Sequence, residues 1–109
     1  MSGLSTHVLD LTTGRPAVGV RITLHMHGEP RTEGVTDTDG RCKDLLSGEP
    51  LEAGRHKIAF DIGAYFSARG HTDIFLHEVT LDFEVKNPDE HHHVPLLATP
   101  FAASTYRGS

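Results

Sequence analysis

Three consecutive histidines, His91-His92-His93, carry the clearest signal for chemistry in this sequence. Alternate side chains of a strand share a face, so we expect His91 and His93 on one face and His92 on the other. Two imidazoles about 7 Å apart along a strand are placed to share a substrate, a water molecule or a metal ion. Val94 and Pro95 follow, and Pro95 predicts that this strand lies at a sheet edge or carries a bulge.

Two further side chains suit the same chemistry. His7 lies in a short segment near the N-terminus that alternates like a strand. Arg41 directly follows the Asp39-Gly40 turn, so its guanidinium is free to bind oxygen atoms in a forked geometry. Taken singly, each is typical of a structural or solvated side chain. Cys42 is the only cysteine; it forms no intrachain disulfide, and we predict a core position for it.

The elements that must position these groups are strands. Alternation with a period of two recurs along the chain, and Gly- and Pro-containing turns divide the alternating segments. One segment, 62–69, has few β-branched residues and predicts a short helix. We therefore predict an all-β, antiparallel β-sandwich of seven to eight strands with one short helix. The predicted strands cover residues 5–11, 18–27, 31–36, 56–61, 79–85, 91–98 and 101–106.

Length and charge exclude several classes of protein. The 109 residues suffice for one domain, expected to span 1–109. Ten basic against 15 acidic residues give a net charge of −5 with no basic run, which argues against a nucleic-acid partner. No segment reaches the roughly 18–20 apolar residues of a membrane span, and no signal-like run opens the chain. We expect a cytoplasmic protein.

Four motifs stand in order along the chain: Ser5-Thr6-His7-Val8-Leu9-Asp10 with Thr13-Gly14-Arg15-Pro16; Thr36 with Asp39-Gly40-Arg41; His91-x-His93-Val94-Pro95-Leu96-Leu97; and Ser104-Thr105-Tyr106-Arg107-Gly108-Ser109. Together they resemble the motifs of the 5-hydroxyisourate hydrolases, the transthyretin-like enzymes of urate breakdown. The resemblance extends from Leu4 to Ser109, and the terminal Tyr-Arg-Gly-Ser separates the enzymes from transthyretin itself. His92 departs from the family pattern, in which Tyr is common at this position.

This resemblance implies a homotetramer of transthyretin-like subunits, with active sites between subunits. It implies hydrolytic opening of 5-hydroxyisourate to 2-oxo-4-hydroxy-4-carboxy-5-ureidoimidazoline, without a cofactor or metal. It also implies that His7, Arg41 and Tyr106 bind the substrate, and that Tyr106 and Ser109 belong to the part of the tail that closes on it. The catalytic residues implied by the resemblance are His7, Arg41, His91, His93 and Ser109.

The residue types fit this chemistry. A neutral histidine deprotonates water near neutral pH, and general bases of this kind contribute typically about 10²–10⁴-fold in rate. Arg41 keeps its charge, so it suits a developing oxyanion and lowers the pKa of a neighbouring histidine. We assign Arg41 as the oxyanion and substrate clamp, and either His7 or His93 as the base; the sequence leaves that choice open.

Two alternatives compete with this interpretation. His7, His91 and His93 are three imidazoles of the kind that bind Zn²⁺, which would make the protein a zinc-dependent hydrolase. No further ligand stands at a fixed spacing, and Arg41 would repel a dication. The other alternative is a transthyretin-like carrier of a small ligand, without catalysis. Its channel would need apolar lining residues in place of histidines and Arg41.

Overall fold

A computed structural model describes residues 3–43 and 45–108 of the chain. Ser109, one of the predicted catalytic residues, lies outside the described residues. The described part forms eight strands and one helix. In chain order they are β1 (Gly3–Asp10), β2 (Arg15–Pro16), β3 (Arg21–Met26), β4 (Glu29–Val35), β5 (Gly54–Asp61), α1 (Ile62–Ala68), β6 (Val79–Val85), β7 (His91–Ala98) and β8 (Ala103–Thr105).

The strands form two four-stranded sheets. Sheet A has the order β2-β1-β7-β8, and sheet B has the order β4-β3-β5-β6. The pairings within both sheets are antiparallel, except that β1 and β7 run parallel, from Gly3 opposite His91 to Asp10 opposite Ala98. The predicted all-β sandwich with one short helix is confirmed.

The core lies between the sheets and consists of side chains at alternate strand positions. On β3, for example, Ile22, Leu24 and Met26 are buried while the residues between them are partly or fully exposed. Burying each such side chain contributes about 1.5–3 kcal/mol, so this alternation fixes which face of every strand points inward. The outward faces are therefore left to polar side chains. Cys42 is buried, as predicted. The core also includes Leu4, Val8, Ile58, Phe60, Val94, Leu96 and Ala98.

Helix α1 follows β5 without a loop. The carboxylate of Asp61 accepts a hydrogen bond from the N–H of Ala64 at 3.2 Å, which caps the first turn. The hydroxyl of Tyr65 donates to Oδ2 of Asp10 at 2.8 Å, so the helix is tied to the end of β1. The helix predicted over 62–69 is thereby confirmed. Among the described residues, no helix is long and apolar enough to cross a membrane.

Pro95 marks neither a sheet edge nor a shift of register in the pairings of β7, so the prediction of an edge or a bulge is wrong. Strand β7 lies inside sheet A, between β1 and β8. The ladder between β7 and β8 covers Leu96 to Ala98 and then resumes only at an isolated bridge between His93 and Gly108. Pro95 falls in the gap, where β8 requires no N–H from it. Its carbonyl oxygen accepts a hydrogen bond from the hydroxyl of Thr105 at 2.7 Å instead.

Candidate active site

The parallel pairing of β1 with β7 brings polar side chains together on the outer face of sheet A. Ser5 lies opposite His93, and His7 lies opposite Pro95. Oγ of Ser5 lies 2.8 Å from Nε2 of His91 and 2.7 Å from Nδ1 of His93, so one hydroxyl bridges the two imidazoles. His91 is exposed, whereas Ser5, His7 and His93 are half-buried.

His92 lies on the opposite face of β7. Its side chain is 5% exposed, and its Nδ1 forms a hydrogen bond with the carbonyl oxygen of Glu90 at 2.9 Å. The neighbouring core residue Val94 is likewise buried. The predicted alternation, with His91 and His93 on one face and His92 on the other, is confirmed.

Arg41 approaches the outer face of sheet A next to β1, on the side of β1 that is away from β7. It forms an antiparallel bridge with His7, and the N–H of Val8 donates to the carbonyl oxygen of Gly40 at 2.8 Å. The carboxylate of Asp37 accepts a hydrogen bond from the N–H of Arg41 at 3.1 Å, which closes the turn. Arg41 is therefore held beside His7 by its backbone, while its side chain stays exposed.

Gly40 is the residue that allows this close approach. Its φ of +75° lies in the left-handed region, and a Cβ at this position would overlap the carbonyl oxygen of Val8. The Asp-Gly turn seen in the sequence therefore brings the backbone before Arg41 into contact with β1.

The surroundings of His93 favour its neutral form. Burial lowers the pKa of His93, and the positive charge of Arg41 lowers it further, followed by His7 and His91. A group of cations and imidazoles therefore makes protonation of this ring costly. At neutral pH His93 is an uncharged imidazole, which is the form that accepts a proton.

The C-terminal segment also contacts the group. The N–H of Gly108 donates to the carbonyl oxygen of His93 at 2.8 Å, and Arg107 forms an exposed ion pair with Glu90 at 3.3 Å. Tyr106 is 59% exposed and lines a cleft of about 390 Å³ at the open edge between β6 and β8, together with Phe83. The described part of the tail therefore lies against β7 as far as Gly108.

The structure thus brings together four of the six predicted site residues. We call His7, Arg41, His91 and His93, with Ser5 between the last two, the imidazole–arginine cluster. Tyr106 lies at the cleft described above, and Ser109 falls outside the described residues.

The cluster does not have the geometry of a metal site. In the part of the chain that the structure describes, no three His, Cys, Asp or Glu side chains are grouped so that they could hold a metal ion. His91 and His93 each direct a ring nitrogen at the hydroxyl of Ser5, which already forms hydrogen bonds with both rings. The side chains proposed as zinc ligands therefore do not form a ligand set, which counts against the zinc-dependent alternative.

Ser5 and Gly108 were not singled out from the sequence as individual site residues. A signal for Ser5 existed, because strand alternation places it on the same face as His7. Its contact with His91 and His93 depends on the parallel register of β1 and β7, which local sequence patterns do not encode. The contact of Gly108 with His93 depends on tertiary structure in the same way.

The fold and the cluster together define a transthyretin-like β-sandwich with a candidate hydrolytic site on the outer face of one sheet. The model of the HIUase/Transthyretin family matches residues 4–108. The chain belongs to this family.

Individual relatives agree with this assignment. The chain is 44% identical to a 5-hydroxyisourate hydrolase of Caulobacter vibrioides, with 100% of each chain covered. Among solved structures it is similar to 5-hydroxyisourate hydrolase from Klebsiella pneumoniae, at a TM-score of 0.87 and 40% identity over 97% of this chain and 98% of that one. It is also similar to sea bream transthyretin in complex with thyroxine, at a TM-score of 0.85 and 28% identity over 96% and 93% of the two chains.

Proposed function

We propose that this chain is a hydrolase that opens the ring of 5-hydroxyisourate to 2-oxo-4-hydroxy-4-carboxy-5-ureidoimidazoline. The relatives from Caulobacter vibrioides and Klebsiella pneumoniae support the substrate. The main support for the proposal is the imidazole–arginine cluster. In this cluster, cationic Arg41 lies close enough to neutral His93 for its charge to lower the pKa of His93. A base beside a fixed cation is an arrangement that suits hydrolysis of a cyclic amide.

His93 is the better candidate for the base, because its pKa is lowered and its ring is held by Ser5. It takes a proton from water as the water oxygen forms a bond to the electrophilic carbonyl carbon. Arg41 stabilises the negative charge that develops on the carbonyl oxygen. When the C–N bond breaks, protonated His93 returns the proton to the departing ring nitrogen. His7 and Arg41 also hold the substrate oxygens. The roles of Tyr106 and Ser109 stay predictions from the family resemblance, because Tyr106 lies at the cleft between β6 and β8 and Ser109 lies outside the described residues.

The assembly that we propose is a homotetramer. The imidazole–arginine cluster lies on an outer face, where His91 and Arg41 are exposed in the single chain. A site that excludes water from a developing charge needs a cover, and a second subunit over this face would supply one. Exposed apolar side chains on the same chain, Phe101 at 58% and Leu11 at 47%, are consistent with further burial between subunits. Light scattering at micromolar concentration should give four times the monomer mass.

The carrier alternative rests on the similarity to sea bream transthyretin in complex with thyroxine. The candidate binding face here carries Arg41 and imidazoles, which suit an oxygen-rich anion better than an apolar ligand.

The test is to generate 5-hydroxyisourate with urate oxidase and to follow its absorbance in the presence and absence of the protein. In ¹⁸O-labelled water, the enzyme should place one ¹⁸O atom in the new carboxylate of the product within the accelerated phase. Binding of the substrate without faster decay would favour the carrier instead.

A further inference from the structure

Ser5 occupies an unusual position between the two histidines of one face. Its Oγ lies within 2.8 Å of ring nitrogens on both His91 and His93, and each of these contacts has hydrogen-bond length. The parallel register of β1 and β7 places Ser5 directly opposite His93. Two strand backbones therefore fix the position of the hydroxyl relative to both rings.

The number of protons limits how these three groups bond. A serine hydroxyl has one proton to donate, and a neutral imidazole carries one N–H. Ser5 therefore either donates to one histidine and accepts an N–H from the other, or accepts an N–H from both through its two lone pairs. Nδ1 of His93 carries the proton in each of these arrangements except the one in which Ser5 donates to His93.

The direction of the bond between Ser5 and His93 decides which nitrogen of His93 is basic. If Ser5 donates to Nδ1 of His93, then Nε2 carries the proton, and the basic nitrogen is the one enclosed against Ser5. If Nδ1 of His93 donates to Ser5, then Nε2 is free to accept a proton from water, and the Ser5 hydroxyl can donate to Nε2 of His91. In the second arrangement, protonation of Nε2 breaks no hydrogen bond and strengthens the Nδ1–H bond to Ser5, because that donor becomes charged.

We propose that Ser5 is a positioning residue that holds His93 with its proton on Nδ1 and thereby presents Nε2 as the general base. The proposal rests on the function proposed above. Ser5 bonds to Nδ1 of His93, and not to the basic nitrogen Nε2, and it does not itself touch the substrate. His91 fixes the direction of the Ser5 O–H bond, because its Nε2 accepts the one proton that Ser5 can donate.

The first test reads the tautomers directly and needs no activity. Long-range ¹⁵N–¹H correlation spectra of the full chain, at a pH where the imidazoles are neutral, distinguish protonated from unprotonated ring nitrogens. We expect protonated Nδ1 on both His91 and His93 in the unmodified protein, and a mixture of tautomers on His93 in Ser5→Ala. Ser5→Thr keeps a hydroxyl and suits a strand, so it should keep the original tautomer. Protonated Nε2 on His93 in the unmodified protein would overturn the proposal.

The second test is kinetic and separates positioning from binding. Ser5→Ala should lower kcat by about 10–100-fold, part of the loss expected when a general base is mispositioned, while KM changes less than threefold. Ser5→Thr should restore kcat to within a few-fold. Ser67→Ala, which removes an exposed hydroxyl on α1, is the matched control and should leave kcat unchanged. A wild-type kcat in Ser5→Ala would overturn the proposal.

The two tests separate the possible failures. If the unmodified protein does not accelerate the decay of 5-hydroxyisourate, the proposed function fails, and the ¹⁵N spectra still decide whether Ser5 sets the tautomer of His93. If the protein is active but Ser5→Ala changes neither the spectra nor kcat, the function stands and the inference about Ser5 fails. Thermal melts of all variants are the control that shows whether each variant keeps the fold.

Discussion

Gly108 lies directly against His93. Its N–H donates to the carbonyl oxygen of His93 at 2.8 Å, and a Cβ at Gly108 would overlap Cδ2 of the His93 ring. The absence of a side chain at Gly108 is therefore what allows the tail to run beside the ring of the proposed base. This contact joins the last motif of the sequence to the histidine motif, 15 positions apart in number.

Gly108→Ala should therefore displace the ring of His93 and lower kcat by roughly tenfold or more, since general-base catalysis depends on placement of the base. The melting temperature should change little, because Gly108 belongs to a terminal segment and not to the core. Arg107→Ala is the control: it removes only an exposed ion pair with Glu90 and should leave kcat within a few-fold. Equal kinetics for Gly108→Ala and the unmodified chain would show that the contact has no catalytic consequence.

The two faces of β7 predict different outcomes for neighbouring histidines. His93→Ala should lower kcat by about 10²-fold or more, because it removes the proposed base. His92→Tyr should leave kcat within a few-fold, because His92 faces the interior and bonds to the carbonyl of Glu90. Steady-state rates per folded protein, measured beside thermal melts, make the comparison. Equal losses in the two variants would contradict the assignment of faces.

Arg41 should shift the pH dependence of the reaction. Burial and then the Arg41 charge lower the pKa of His93, so the base stays neutral to a lower pH than an ordinary histidine. Activity is lost as the pH falls through this pKa. Arg41→Gln removes the charge, so the acid limb of the kcat/KM profile should move to higher pH while the maximum rate also falls.

A matched control for charge is Arg31→Gln, which removes a cation from sheet B that pairs with Glu52 at 3.0 Å. Its acid limb should coincide with that of the unmodified protein. A titration of the His93 ring by NMR would report the same shift independently of turnover. An unchanged His93 pKa in Arg41→Gln would refute the electrostatic coupling.

Tyr65→Phe tests the tie between α1 and β1. Burial raises the pKa of Asp10, but hydrogen bonds from Thr12 and Tyr65 outweigh it, and the net shift is downward. A carboxylate with a lowered pKa stabilises the fold above its unfolded value of 3.8 and loses this contribution as the pH falls through the folded value.

At pH 7, Tyr65→Phe should lower the free energy of unfolding by about 1.5–3 kcal/mol, as for a hydrogen bond to a charged group. The loss should shrink as the pH falls through the folded pKa of Asp10, because the carboxyl is then protonated in the unmodified protein as well. Urea unfolding at a series of pH values from 7 down into acid gives the dependence, with exposed Tyr106→Phe as the control for loss of a hydroxyl. A loss that stays the same size below the pH at which Asp10 titrates in the unmodified protein would mean that Asp10 is not the charged partner.

Local sequence patterns predict most of the strands and helix of this fold. The strand β6 at Val79–Val85 and the strand β7 at His91–Ala98 occur where alternation places them, because burial of one face fixes the period. The two-residue strand β2 at Arg15–Pro16 is too short to alternate, and the turn residues around it hide it. Pro95 suggests an edge because it has no N–H to donate to a neighbouring strand. In this fold it lies inside the sheet, at a gap in the ladder between β7 and β8 where no N–H is needed.

The candidate site is predictable residue by residue but not as an arrangement. Histidine chemistry and strand alternation identify His91 and His93, and the Asp-Gly turn draws attention to Arg41. That Ser5 bridges two imidazoles depends on a parallel pairing between segments 88 positions apart, and only the tertiary structure contains it.

The proposed activity is hydrolysis of 5-hydroxyisourate by this chain through the imidazole–arginine cluster. The most direct measurement is the decay rate of freshly generated 5-hydroxyisourate with the unmodified chain and with His93→Ala, each purified without a histidine tag. We predict a decay that is proportional to the concentration of the unmodified chain and that falls by about 10²-fold or more in the variant. Decay at the spontaneous rate with the unmodified chain would contradict the activity, and full activity in His93→Ala would contradict the assignment of the base.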